Sequence, residues 1–180
     1  MKTQLVIRTL AVATALTVCV ASGFAQGTPV KKKIVELKDA NGNDVGTATL
    51  APQGNGVEVR LTLKDLPPGR HAVHFHQNAK CDPPDFKSAG PHFNPWNKQH
   101  GLENPQGHHA GDMPNFTVKK NGTAKATVQD DDVVLEVGNG PYSLFANGGT
   151  SIIIHAKADD LKTDPVGNAG DRIACGVITP

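Results

Sequence analysis

Val57-Glu58-Val59-Arg60-Leu61-Thr62-Leu63-Lys64 is the stretch that decides the fold. On an extended chain Val57, Val59, Leu61 and Leu63 share one face, and Glu58, Arg60, Thr62 and Lys64 share the other. That period of two marks a strand with one side in a core and one in water. Residues 34–37 and 45–50, before it, are similar short runs rich in Val, Ile, Leu and Thr. After it come residues 71–76, 116–118, 124–129, 151–155 and 173–178. The dipeptides Asn41-Gly42 and Asn121-Gly122 supply the positive φ that tight turns between such runs need. These eight segments predict an all-β, eight-stranded antiparallel sandwich or barrel.

Composition agrees. The chain has 180 residues with 19 Gly and 13 Pro, 38% hydrophobic and only 4% aromatic, which argues against a helix bundle. Its 18 basic and 17 acidic residues nearly cancel, which excludes a nucleic-acid binder running on bulk charge. Lys31-Lys32-Lys33 reads as a solvated strand start.

The first 25 residues read as an address. Lys2 and Arg8 precede an apolar or small run over residues 10–21, which ends in Gly23-Phe24-Ala25. This is the pattern of a secretory signal peptide cleaved after Ala25. The run is too short for a membrane span, which takes about 20 apolar residues. Cys19 offers a lipoprotein site instead, although Val18 before it is bulkier than such sites accept. The expected organisation is a signal peptide over 1–25 and one domain over 26–180, periplasmic or secreted. Cys81 and Cys175 then remain, and in an oxidising compartment they read as one long-range disulfide. Loop closure gives such a bridge at most roughly 4–5 kcal/mol.

Two stretches resist a strand reading, residues 77–113 and 156–171, and loops of that length are usually functional. The eight histidines fall in and around them. In Val73-His74-Phe75-His76 the spacing puts both imidazoles on one face of a strand and Phe75 on the other. His155 ends the apolar strand Ser151-Ile152-Ile153-Ile154. His92, His100 and His109 lie in the first long loop, with Asp112 three residues beyond His109. Three histidines and one carboxylate make a closed tetrahedral set suited to structural zinc, and metal affinity of that kind orders a loop. His71 and His108 read as a satisfied core residue or surface histidines.

With those residues placed, the chain resembles the copper/zinc superoxide dismutases. The resemblance rests on His74-Phe75-His76, Ser88-Ala89-Gly90-Pro91-His92-Phe93-Asn94-Pro95, His109-Ala110-Gly111-Asp112, His155-Ala156-Lys157-Ala158-Asp159-Asp160 and Gly167-Asn168-Ala169-Gly170-Asp171-Arg172-Ile173-Ala174-Cys175-Gly176-Val177-Ile178. It runs from about residue 32 to 179. That family is itself a standing example of the sandwich architecture and of electrostatic steering. The resemblance implies a Greek-key sandwich or flattened barrel with two long functional loops. It implies copper on His74, His76, His92 and His155, and zinc on His92, His100, His109 and Asp112, with His92 bridging. The His-x-x-Asp spacing selects His109 over His108. Asp159 would orient one ligand of each metal, Cys81 and Cys175 would form the family disulfide, and Arg172 would attract the anionic substrate.

The function so implied is dismutation of superoxide to dioxygen and hydrogen peroxide, with superoxide as the partner and a monomer or homodimer as the assembly. No nucleic-acid partner and no membrane span in the mature form are expected. A copper-binding or copper-delivery protein on the same fold is the alternative. A zinc hydrolase is disfavoured, because four protein ligands leave zinc no open position and no Glu sits beside them. The segment 156–171 is about six residues shorter than in the animal enzymes, with Pro165 and Val166 where those often carry lysine and threonine. The stretch from Cys81 to His92 is longer and contains Asp82-Pro83-Pro84-Asp85.

Overall fold

A computed structural model describes residues 27–138 and 140–180, so the expected signal segment and Cys19 lie outside the described residues. Among the described residues there are eleven strands: β1 (Thr28–Pro29), β2 (Lys33–Lys38), β3 (Asp44–Gln53), β4 (Gly56–Leu63), β5 (Gly69–His71), β6 (Val73–His76), β7 (Phe116–Val118), β8 (Ala124–Asp130), β9 (Glu136–Val137), β10 (Thr150–His155) and β11 (Arg172–Ile178). Seven form one antiparallel sheet in the order β6-β10-β11-β2-β3-β4-β8. In β4 the alternation is kept: Val57, Val59, Leu61 and Leu63 are buried while Arg60 and Thr62 are exposed. Lys31 and Lys32 are exposed ahead of β2, as a solvated strand start requires.

All eight expected segments are strands, with one difference. Residues 71–76 are not one strand but two. β5 pairs with β7, β6 pairs with β10, and the chain changes partners at Ala72. There the Ala72 N–H donates to the Lys157 carbonyl at 2.8 Å, and the Ala72 carbonyl accepts from the His155 N–H at 3.0 Å. The switch curls the sheet into a flattened barrel. β5 runs on into β6 at one edge, and the Asn121-Gly122 turn joins β7 to β8 at the other.

One apolar core fills the barrel, with Val35, Leu37, Leu50, Leu61, Phe75, Ile152 and Ile154 all buried in it. The segment between β8 and β10, given no role by periodicity, adds Val133, Leu135, Leu144 and Phe145 to that core. Gly46 shows why a strand here needs a glycine. It sits at φ +125° where a Cβ would lie 2.1 Å from the Thr62 carbonyl oxygen. Cys81 and Cys175 are joined as a disulfide, which ties the first long loop to β11. Among the described residues, no helix is long and apolar enough to cross a membrane.

Candidate metal centre

β10 is buried on both faces, and so is β6. Their pairing sets Phe75 opposite Ile152, both in the core, and places His74 opposite Ile153 and His76 opposite Ser151 on the outer face. The long loop covers that face and caps the free edge of β6. The Phe93 N–H donates to the Phe75 carbonyl at 2.8 Å, the Phe75 N–H to Gly111 at 2.9 Å, and the Gly111 N–H to Phe93 at 2.9 Å. An exposed strand edge is thereby satisfied by loop backbone. The same stitching draws His92 beside His76 and Asp112 beside His74.

Two groups result, each with one possible ligand atom per residue lying within 4.8 Å of the others. The first is His74, His76, His92 and His155; the second is His92, His100, His109 and Asp112. All are buried, and His92 belongs to both. Its Nδ1 lies 2.9 Å from Asp112 Oδ1 and 3.4 Å from His109 Nδ1, while its Nε2 is buried without a hydrogen-bond partner. His74 Nδ1 is likewise buried without a partner, while His100 Nδ1 lies 3.1 Å from Asp112 Oδ1. Unpaired buried nitrogens are costly, and an ion bound among them is the economical remedy. His76 presents Nε2 at 3.4 Å from His155 Nε2, their Nδ1 atoms being turned to the Gly90 and Gly170 carbonyls. All-imidazole and imidazole–carboxylate sets suit copper and zinc respectively.

Asp159 ties the groups together. One oxygen lies 2.8 Å from His74 Nε2 and the other 3.0 Å from His100 Nε2, which turns the opposite ring nitrogens inward. Asn115 pins the Asp159 backbone, its Oδ1 accepting the Asp159 N–H at 2.8 Å and its Nδ2 donating to the Asp159 carbonyl at 2.9 Å. Gly167 packs so closely that a Cβ there would lie 1.9 Å from Asp159 Oδ1. The electrostatics follow from burial and these bonds. Burial first, then the neighbouring His74, pushes His92 down to about 3. Burial also holds His76 and His155 well below the ordinary imidazole value, so these rings stand neutral and able to ligate. Burial would lower His100 too, but hydrogen bonds to Asp112 and Asp159 outweigh it and raise the ring to about 9. Burial would raise Asp112, yet the His100, His109 and His92 rings carry it far below the carboxylate range.

Beside the first group opens a cleft of about 540 Å³ whose lining includes His92, Asn94, Pro165, Val166 and Arg172. Arg172 is the only lysine or arginine in that lining. Its Nη1 donates to the Phe86 carbonyl at 2.7 Å and its Nη2 to the Gly90 carbonyl at 2.8 Å. Burial lowers Arg172 somewhat from its ordinary value and the nearby Asp85 charge opposes that. Guanidinium basicity leaves the group cationic throughout the working range.

Every residue singled out from sequence for the centre is brought into it. His71 and His108 are not. His71 is buried between the Pro67 and His155 carbonyls, each 2.8 Å from a ring nitrogen. His108 pairs with Asp132 at 2.7 Å on the surface. Sequence reasoning missed Asn115 and Asp164, whose Oδ1 accepts the His100 N–H at 2.6 Å. No local pattern marks them, because each acts on a residue distant in the chain.

The fold and the site together define an all-β protein with two adjacent groups, each able to hold a metal ion, that share one histidine. Residues 45–178 match the family model described as copper/zinc superoxide dismutase (SODC). Superoxide dismutase [Cu-Zn] 1 of Aquifex aeolicus is 47% identical over 148 residues, covering 82% of this chain and 87% of its own. Superoxide dismutase [Cu-Zn] of Caulobacter vibrioides is 43% identical over 143 residues, covering 79% and 82%. A crystal structure of a mutant SOD-like protein from Bacillus subtilis superposes with TM-score 0.78 at 38% identity, covering 82% of this chain and 97% of that one. The chain belongs to the copper/zinc superoxide dismutase family, an oxidoreductase whose cofactors are copper and zinc.

Proposed function

We propose that this protein dismutates superoxide in the cell envelope, with copper held by His74, His76, His92 and His155 and zinc by His92, His100, His109 and Asp112. The observation that carries the reading is His92, whose Nδ1 faces Asp112 while Nε2 lies buried and unpaired within the all-histidine set. A ring with one nitrogen toward each group in this way is suited to bridging. When bound, copper supplies the one-electron couple that two superoxide ions need in turn, and zinc supplies a charge that does not change oxidation state. The remaining work falls to the chain. Arg172 draws a small anion into the cleft and orients it. While its Nε2 is not ligating, His92, held on its Asp112 side, would carry one proton at that atom and give it to the departing peroxide, with solvent supplying the second. Asp159 holds the rings of His74 and His100. The disulfide and the apolar amino-terminal run support export by a signal peptide over residues 1–25, with the domain over 26–180, to the periplasm or beyond.

The test is superoxide decay catalysed by the mature protein loaded with copper and zinc, beside its zinc-only form. A copper-dependent rate that falls as ionic strength rises is expected. Bound copper without such a rate would turn the assignment toward a copper carrier.

A further inference from the structure

Arg172 is held in an unusual way for a surface-facing cation. Its two terminal nitrogens donate to the carbonyls of Phe86 and Gly90, which flank the short 3-10 turn Lys87–Ala89. The fork of the guanidinium thus spans one turn of chain, and the position of that turn sets the position of the charge. We infer that Phe86 is the positioning residue for Arg172. This rests on the reading of Arg172 given above.

The turn is also held by polar bonds, the Asn78 N–H donating to the Ala89 carbonyl at 2.9 Å and Asn78 Nδ2 to the Ser88 carbonyl at 3.0 Å. Its residues lie in the stretch that follows Asp82-Pro83-Pro84-Asp85, and Asp82, Asp85 and Lys87 are all exposed. Phe86 is the exception, buried to 2% exposure in a small cluster with Ala89, Ile153 and Cys175, separate from the main core. Its backbone is left-handed, φ 52° and ψ 24°, a conformation that disfavours a bulky residue. Burial of the ring against β10 and the disulfide compensates for that strain. The Phe86 carbonyl accepts the Ala89 N–H at 3.1 Å as well as the arginine at 2.7 Å. The Gly90 carbonyl at the other end is shared too, accepting from Arg172 Nη2 at 2.8 Å and lying 2.9 Å from His76 Nδ1. The ring of Phe86 therefore sets where a cation stands relative to a histidine of the first group. Asp85 ties the same turn from outside, its Oδ1 accepting the Lys87 N–H at 3.0 Å and its Oδ2 pairing with Lys87 Nζ at 2.7 Å.

The experiment is a double-mutant cycle on the copper- and zinc-loaded protein, with azide as a stable anionic probe read by its visible absorption. Arg172→Gln should weaken azide binding, and Phe86→Ala should weaken it by about tenfold, the scale of a lost charge-assisted hydrogen bond. The double variant should be no weaker than Arg172→Gln alone, because Phe86 acts only through the arginine. Phe86→Leu, which keeps most of the apolar bulk, should recover most of the affinity. A second readout avoids copper: in the zinc-only protein the Arg172 guanidinium N–H signals should be resolved in nitrogen-edited NMR and should average in Phe86→Ala. If Phe86→Ala does not fold, Ser88→Ala serves, since it removes the 2.8 Å bond from the Asp82 N–H that pins the turn. It should give a smaller loss with the same non-additivity. Additive losses, or an Arg172-dependent affinity untouched by these variants, would overturn the role of Phe86 while leaving that of Arg172. An affinity unmoved by Arg172→Gln would overturn both.

Discussion

The strands β2, β3 and β4 and the strands β6 and β10 belong to one sheet but are built on different terms. The first three have water on one side, and their inner residues alone, Val35, Leu37, Leu50, Val59 and Leu61, are buried. β6 and β10 are buried on both sides, with apolar residues inside and His74, His76 and His155 outside beneath loops. The first half is held by area removed from water. The second adds polar groups whose burial is favourable only when they are paired or ligated. Core-like stability and site-like chemistry therefore divide the sheet between them.

The largest effect should come from taking the ions away. Each ion at a thousand times its Kd contributes about 4 kcal/mol, so stripping both copper and zinc should lower Tm by roughly 16–32 °C in a domain of this size. Hydrogen exchange should rise first in residues 77–113, 156–171 and β6, with β2–β4 still protected. A uniform rise would break the comparison. Next comes Leu61→Ala, which should cost about 2–5 kcal/mol by urea unfolding while leaving metal stoichiometry unchanged. Loss of metal in that folded variant would show that the two halves are not separable.

Gly167→Ala should act in the opposite sense, on the site more than on the core. Its φ of +62° and the overlap of a Cβ with Asp159 Oδ1 force the carboxylate aside. The expected result is about tenfold weaker zinc retention in a chelator competition, as for other losses of a ligand's hydrogen-bond partner. Equal retention would remove Asp159 from the argument. The smallest effect concerns Asp130, a buried carboxylate at the end of β8 on the core side. Burial first, opposed by the Asp132 N–H and reinforced by the charges of Asp132, Asp112 and Asp131, holds it well above the ordinary carboxylate value. The fold thus favours its protonated form. Its contribution to stability is present in acid and is lost as pH rises through that raised value. Asp130→Asn should therefore raise Tm near pH 7 and leave it unchanged below about pH 3. A gain of equal size at both pH values would contradict this.

The same division explains what could be read from residues alone. β4 was legible because one face meets water, which writes burial into the sequence as alternation. β10 was legible as an apolar run, and the histidines because imidazoles at sheet spacing have few structural uses. The break of residues 71–76 at Ala72 left no trace, since a change of hydrogen-bond partner costs no particular side chain. The core residues Val133, Leu135, Leu144 and Phe145 lie on an irregular segment with no period to betray them. The carbonyls that seat Arg172 were invisible for a simpler reason: every residue has one.

Asp159 has a consequence of another kind. Its two oxygens reach one ring in each group, and His92 belongs to both groups, so the pair is joined at two points and forms a closed frame. A frame with two crossbars resists shear, and neither half can shift without dragging the other. Were ions bound as proposed, loading one group would prepare the second, and by linkage the second would strengthen the first to the same degree. Two ions so placed would be held less as separate guests than as the two ends of one brace.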